Sequence, residues 1–576
     1  MHQQWQVAQP IPEQERASFP EIDPVLLQLL WNRGVRTQEE IDVFVGPDWS
    51  RDTHAPDLFL HMGEAVARVF AALERGEVIT VHGDYDADGV CGSAVLLSTL
   101  RDLCRAFSFD ENSVTSYIPH REKEGYGISV GTIERLHAHD HTKLVITVDC
   151  GISNKPAIDR GRELGIDTIV CDHHTMPAEL PTAILIHPLV PGETYPNKQL
   201  CGTGVAFKLA NALIQEARRR GAAMAQGQEK WLLDLVAIAT VTDVMPLTGE
   251  NRVLEKFGLI VLNKTKRKGL VKLLEVAGST LGELDTISIG FQIGPRLNAA
   301  GRMTHASAAL ELLLEEDDLR ATTLALQLHE TNLARQKASQ QMYEEAKAQL
   351  GDVTGKKILV AVQDGWSAGL VGLVAGKLQN EYHRPVLVVG RDGEKFVGSG
   401  RSIDGFDVTA ALRVAQEHLD KFGGHPQACG FSVTGEARFA RAMAAVQAFA
   451  SEQIDDALLC PILKIDTDIP LEGITWNLFE SVQALRPFGT GNPAPLFVSR
   501  GVKVVAFSAV GKDQSHLQLR VQSAGGKIAR AIGFRFGAWA SRLTLGSRVD
   551  LVYEVDVNEW NGSRELQLKL VDLVCS

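Results

Sequence analysis

The chain has 576 residues, 45% of them hydrophobic and 22% charged, with 58 Lys and Arg against 71 Asp and Glu and a formal net charge of −13. That length exceeds a single core and asks for about three or four domains. The absence of any run of about eighteen uncharged apolar residues argues against a membrane-spanning helix, and the acidic total, taken alone, disfavours a nucleic-acid partner. Eight cysteines without a C-x-x-C pair indicate neither a zinc ribbon nor a disulfide framework. The opening residues Met1-His2-Gln3-Gln4-Trp5 lack the basic and apolar regions of a secretory signal, so a cytoplasmic location is expected.

Residues 1–57 carry one clear helical pattern, Val25-Leu26-Leu27-x-Leu29-Leu30-Trp31, and are expected to form an N-terminal helical cap without chemistry. From residue 58 the pattern becomes regular: a helix over Gly63 to Glu74, a strand at Val78-Ile79-Thr80-Val81, a helix from about Val90 and a strand from Val114 to Ile118. This alternation predicts a doubly wound parallel sheet over residues 58–303.

The first strand ends in Asp84-x-Asp86-x-Asp88-Gly89, at the carboxyl edge where open α/β sheets place their ligands. Three acids at alternating positions repel one another and need a counterion. A calcium loop is one alternative, but its twelfth position is Val95 instead of Glu and a strand precedes it; a solvated acidic turn is another. His82 adds imidazole to carboxylate, the mixture suited to manganese or another first-row ion. Three more apolar segments, read as strands, end the same way: Leu144 to Val148 in Asp149, Thr168 to Cys171 in Asp172-His173-His174, and Leu235 to Val241 in Asp243. Parallel topology would bring all four ends to one edge.

After the second strand, Pro119-x-Arg121-x-x-x-Gly125-Tyr126-Gly127 reads either as a glycine-rich turn with a solvated Arg or as a phosphate contact through Arg121 with Tyr126 stacking on a base. Pro295-Arg296-x-Asn298-Ala299-Ala300-Gly301-Arg302 places two arginines on a tight small-residue segment that suits phosphate. The basic runs Arg218 to Arg220 and Lys264 to Lys268 read as solvated faces.

Residues 304–350, without Pro or Gly from Ala306 to Gln349, predict one long connecting helix. Over 351–460 a smaller α/β pattern restarts, with two small-residue loops, Gly398-Ser399-Gly400-Arg401-Ser402 and Phe422-Gly423-Gly424-His425, able to approach an anion. Residues 461–576 change to alternating strands (Val502 to Phe507, His516 to Val521, Ala529 to Phe534, Val549 to Val557, Glu565 to Val571) with Asn561-Gly562 at the last hairpin, which predicts an OB-type barrel for single strands.

The segments VHGDYDADG, ITVDCG, CDHH and VTDVMPL resemble, in order and spacing, the four motifs of the DHH phosphoesterase superfamily. The resemblance implies two divalent ions, manganese ahead of magnesium: His82 and Asp86 on one, Asp88, His173 and Asp243 on the other, and Asp149 between them. It also implies loop-capping or outer carboxylates at Asp84 and Asp172, with His174 facing the scissile phosphate. Asp84, Asp149 and His174 are the candidate catalytic set. Cys150 stands where relatives often carry Asn. The second α/β pattern resembles the DHHA1 domain, implying phosphate contact through Ser399, Arg401, Ser402, Gly423, Gly424 and His425, alongside Arg121, Tyr126, Arg296, Asn298 and Arg302; Ser367 stands where relatives commonly carry His. The whole order of domains is similar to the superfamily's bacterial exonucleases. It implies 5′-to-3′ hydrolysis of single-stranded DNA in repair and recombination, with single-strand-binding protein and a RecQ-type helicase as partners. Competing readings are a phosphodiesterase of nano-RNA or cyclic dinucleotides and a non-catalytic replication scaffold.

Overall fold

A computed structural model describes residues 3–121, 123–560 and 562–575. They form two compact units: residues 54–245 with 257–461, and residues 1–53 with 246–256 and 462–576.

In the first unit, five parallel strands run in the order Val114–Tyr117, Val78–Gly83, Thr142–Val148, Asp167–Cys171, Ile184–Ile186. Their apolar runs are continuous because helices cover both faces, and Ile79, Val81, Ile146 and Ile169 are fully buried. The register sets Gly83 opposite Val148 and Val148 opposite Cys171. The next residue of each strand is therefore Asp84, Asp149 and Asp172, side by side on one edge. The segment Leu235 to Val241 departs from the strand reading: it lies in the helix Leu233–Thr242, whose side chains from Leu235 to Ala239 are buried all round. A short apolar run buried on every side looks the same in either state.

The connecting segment is also divided, into helices Ser307–Leu314 and Asp318–Leu350, where Glu315 to Asp317 break the run. Asp317 caps the longer helix by accepting from the Arg320 N–H. Beyond it, a second five-stranded sheet has the order Lys421–His425, Ala428–Thr434, Lys395–Arg401, Val386–Asp392, Leu359–Asp364, with only the last pair parallel. Both small-residue "loops" are thus strands: Gly398 to Arg401 lie within one, and Phe422 to His425 within another that pairs antiparallel with Ala428–Thr434. Glycine weakens the strand signal in sequence, yet here it lets neighbouring side chains lie flat on the sheet; a Cβ at Gly398 would come within 2.4 Å of the Phe431 ring.

The second unit holds a barrel of strands Thr467–Asp468, Phe497–Val510, His516–Gln522, Ile528–Gly533, Ser563–Cys575 and Arg548–Trp560, closed by pairing of Phe497–Val510 with Arg548–Trp560. The last hairpin pairs Trp560 with Ser563; Asn561 lies outside the described residues. Residues 1–53 are part of this unit and not a separate cap. Gln4–Val7 pairs in parallel with Ile462–Ile465, and Leu27, Leu29 and Leu30 of the helix Pro24–Asn32 share the barrel's core.

Arg252 holds this unit from inside. Almost wholly buried, its guanidinium donates to the carbonyls of Phe44 and Arg486, both at 2.8 Å, and lies 4.1 Å over the Phe44 ring. Burial draws its pKa down to about 10. Replacing it with Met leaves those carbonyls unsatisfied, and each costs roughly 1–3 kcal/mol. The Arg252→Met protein is expected to lose at least about 2 kcal/mol in urea unfolding of the barrel unit; an unchanged midpoint would show that the carbonyls find other donors.

Candidate active site

The acidic edge is built by local structure. Asp86 caps the helix Ala87–Phe107, accepting from the N–H groups of Asp88 and Gly89 at 3.0 and 3.2 Å. Asp88 reaches the start of a second helix, Gly202–Arg219, and accepts from Gly202 and Thr203, both at 2.7 Å. Asp149 sits in the left-handed region at φ 60°. Gly202 permits that approach, since a Cβ there would meet the Asp149 Cβ at 2.5 Å. Asp243 arrives at the carboxyl end of the helix Leu233–Thr242.

His173 Nε2 lies 3.1 Å from Asp149 Oδ1, 3.4 Å from Asp243 Oδ2 and 3.8 Å from Asp88 Oδ2. Among the described residues, three groups have ligand atoms within 4.8 Å of one another: Asp88, His173 and Asp243; Asp84, Asp86 and Asp149; and Asp149, His173 and His174. The first is the set implied for one ion, and Asp149 joins the other two groups. Asp84 stands at ligand distance beside Asp86, closer in than an outer carboxylate. His82 falls in none of the three groups. It is fully buried, its Nε2 has no hydrogen-bond partner, and burial lowers its pKa to about 4, so the ring stays neutral. Its Nδ1 lies 3.7 Å from the Cys150 thiol.

These residues fit a cationic pair. Burial first, and the neighbouring carboxylates second, push Asp84, Asp86 and Asp149 above the usual carboxylate range and Asp243 to about 9. Among the described residues, a buried oxygen each of Asp84 and Asp243, like His82 Nε2, has no hydrogen-bond partner. Five carboxylates and two imidazoles at this spacing supply the hard and borderline donors that manganese or magnesium takes.

Asp172 has a different task. Burial works against its charge, but hydrogen bonds and charge from His174, and the N–H groups of Ile152 and His174, hold it below the usual range. It holds His174 Nδ1 at 2.8 Å, and Tyr126 Oη lies 3.0 Å from the same ring atom while donating to the Asp149 carbonyl at 2.8 Å. Tyr126, expected as a stacking ring, thus braces the acidic edge.

The cationic residues cluster around Arg302, which feels the charges of Arg121, Arg335 and Arg401 as well as that of Asp86. Arg302 donates to the Gly369 carbonyl at 3.1 Å, tying the first sheet's domain to the second. Burial, then the charge of Arg121, lowers its pKa to about 10, and Arg335 and Arg401 add to that repulsion. Arg121 lies 4.7 Å over the Tyr85 ring. Arg401 donates to the Gly400 carbonyl at 2.8 Å and to Ser399 Oγ at 3.1 Å. A cleft of about 900 Å³ runs past Tyr85, Arg121, Trp366, Gly369 and Gly390. His425, Gly423 and Gly424 are exposed at a strand end. Three candidates are committed within the fold: Ser402 donates to the Phe406 carbonyl at 2.6 Å, Asn298 accepts from the Ala87 N–H at 2.7 Å, and Arg296 donates to Gln292 O and His329 Nδ1. Ser367 accepts from the Gly369 N–H at the turn into the next helix.

Sequence reasoning passed over Tyr85, Arg335 and the donors at Gly202 and Thr203. The small-residue run Cys201-Gly202-Thr203-Gly204 opening a helix was the available signal for the last pair. Arg335 sits within a long polar helix and carries no local mark.

Comparison with known proteins matches residues 78–240 to the DHH family N-terminal domain, 355–452 to the DHHA1 domain and 465–572 to the RecJ OB domain. The single-stranded-DNA-specific exonuclease RecJ of Bacillus subtilis is 34% identical over 99% of this chain and 71% of its own length. The crystal structure of RecJ from Thermus thermophilus with Mn2+ superposes with a TM-score of 0.82 at 31% identity, covering 99% of this chain and 79% of that one. The same protein's complex with Mg2+ gives 0.77 at 29% identity, over 99% and 78%.

The crowded carboxylates set a stability test. Manganese should raise the melting temperature of the wild type by binding the folded state. Asp149→Asn removes one repelling charge, so its metal-free form should melt no lower than the wild type, while the manganese-induced rise should largely vanish. An equal rise in both proteins would remove Asp149 from the ligand set.

Proposed function

The chain belongs to the RecJ family of DHH phosphoesterases, and we propose that it is a single-stranded-DNA-specific exonuclease that hydrolyses phosphodiester bonds from the 5′ end, in DNA repair and recombination. The observation that carries this is the pairing of a buried carboxylate edge with a wall of guanidinium groups in one unit.

In this reading Asp84, Asp86 and Asp149, with the unpartnered His82 Nε2 turned to them by a small shift, would hold one divalent cation, and Asp88, His173 and Asp243 would hold the other. Bound there, manganese or magnesium polarises the phosphoryl group and makes water a better nucleophile at neutral pH. The chain's own groups do the positioning. Asp172 and Tyr126 fix the His174 ring against the edge, where it meets a phosphoryl oxygen. Arg121, Arg302 and Arg401, with Ser399 and His425, take phosphates of the strand from the opposite wall and hold the scissile bond in line. Arg296, Asn298 and Ser402 serve the same surface by holding its backbone. Single-strand-binding protein and a RecQ-type helicase are the partners, and the cytoplasm the location, that accompany this role; co-purification from a nuclease-treated lysate tests the partners.

A phosphodiesterase of short RNA or cyclic dinucleotides would need only the first unit, so the barrel speaks against it. Manganese-dependent digestion of end-labelled strands decides polarity. A 5′ label should leave at once as mononucleotide while a 3′ label shortens stepwise; the reverse pattern overturns the 5′ assignment.

Across the cleft, His425→Ala and Arg401→Lys should cut turnover by about ten- to a thousandfold, the loss of one oriented donor or of a planar fork. Manganese affinity by calorimetry should stay as in the wild type; a lost metal site would move these residues to the acidic edge.

A further inference from the structure

One apolar surface beside the acidic edge is unused by the reading above. Residues Ile289–Ile293 form a turn of π-helix, in which the Gly294 N–H bonds the Ile289 carbonyl five residues back. Such turns insert one residue into a helix and swing a side chain outward, often at functional sites. Here the residue swung out is Phe291, 76% exposed, with Ile287 of the preceding turn 60% exposed.

The π-turn packs on the last turn of the helix that ends in Asp243. A Cβ on Gly290 would lie 3.9 Å from Val241 Cγ1, an ordinary contact, but one on Gly294 would come within 2.4 Å of Thr242 Cγ2, so glycine at 294 is what admits this packing. Val244, directly after Asp243, is held at φ 58° and is 64% exposed. A β-branched residue in the left-handed region is costly, and such strain persists where the surroundings enforce it, commonly at functional sites. On the other flank, the Gln292 carbonyl accepts from Arg296, whose Nε donates to His329 of the long helix. Leu326 and Leu333 lie one turn either side of His329 on the same helical face and are about half exposed, at 46% and 50%.

Phe291 and Val244, both largely exposed, sit on the two segments that meet at the helix end delivering Asp243, and large apolar groups left open to water beside a charged site mark a surface that a ligand covers. The ligand must present flat apolar faces while its phosphate reaches the acidic edge. Unpaired nucleobases do so; a duplex hides those faces in its stack, and an acidic peptide offers no planar groups at the phosphate spacing. Resting on the exonuclease reading, we infer that Phe291, with Val244, Ile287 and the Leu326/Leu333 stripe, is a stacking ledge for bases of the strand next to the scissile phosphate. It makes the enzyme select unpaired DNA. Phe291 acts as a specificity-determining residue, since every base has a π-face and a duplex offers none.

The test compares a long poly-thymidine strand with a thymidine dinucleotide on Phe291→Ala and Phe291→Trp, with manganese present. Loss of one stacked base should raise KM for the long strand about five- to a hundredfold. The effect on kcat should be smaller, and the defect should shrink on the dinucleotide. The logarithmic salt dependence of strand binding should keep its slope in Phe291→Ala, because no phosphate contact is lost, and Phe291→Trp should restore KM. Independently of any turnover, strand binding to metal-free Phe291→Trp should quench the new indole. Unchanged KM in Phe291→Ala, or indole emission indifferent to the strand, overturns the ledge. A wild type inert on every strand overturns the exonuclease reading instead, and the quenching arm still decides whether bases stack there.

Discussion

The concentration of carboxylates on one sheet edge is the constraint on which the rest of the catalytic unit depends. Asp84, Asp149 and Asp172 are neighbours because the strand register aligns Gly83, Val148 and Cys171, and strands buried on both faces cannot be shifted without repacking the helices on either side. The fold therefore fixes three acids together before any ligand is considered. Two helix N-termini ease the charge of Asp86 and Asp88 through backbone N–H groups. Asp243 receives no such help, since it stands at a helix carboxyl end where the backbone dipole is negative. Burial, then the charges of Asp88 and Asp86, push its pKa to about 9, so the Asp88, His173, Asp243 group gains from a cation.

The same unit carries the opposite charge a few side chains away. Arg302 is half-buried with Arg121, Arg335 and Arg401 as electrostatic neighbours, and Asp86 is the acid that offsets them. Guanidinium groups kept this close without carboxylate forks represent stored repulsion, as the acids do. A phosphate between the two walls relieves both, because its oxygens face cations on either side. The net charge of −13 is consequently a poor guide to the ligand, because affinity follows the local field and not the total.

Much of this was legible in the sequence. Strand ends at Val81, Val148 and Cys171 showed themselves through continuous apolar runs cut off by Asp, and the acids and imidazoles they carry do gather on one edge. The reading of Leu235 to Val241 as a strand failed for a physical reason: a segment buried on all sides has no periodicity to betray its pitch. It still delivered Asp243 to the right place, because position after an apolar run survives the confusion between helix and strand. Gly398 to Arg401 and Phe422 to His425 were misread in the reverse direction, as glycine-rich stretches that suggested loops but pair as strands. Residues 1–53 gave no sign of their partner, since the pairing of Gln4–Val7 with Ile462–Ile465 spans most of the chain and leaves no local trace.

What stayed wholly hidden is the exposed apolar rim. In sequence Phe291 and Val244 sit among ordinary hydrophobic residues, and a count of apolar positions assigns them to the core. Their exposure depends on two backbone events that composition does not report, a π-turn at Ile289–Ile293 and a left-handed Val244. Val244 directly follows Asp243, and the π-turn packs against the helix turn that delivers Asp243, so the segment that supplies a candidate ligand also meets its neighbours' outward turn. Glycine at 294 makes that geometry possible by letting the π-turn lie against Thr242. A bulkier residue there would force the two helices apart, and Asp243 with them. The placement of a candidate metal-ligating carboxylate and the presentation of an apolar surface are thus one packing problem, solved at a single glycine.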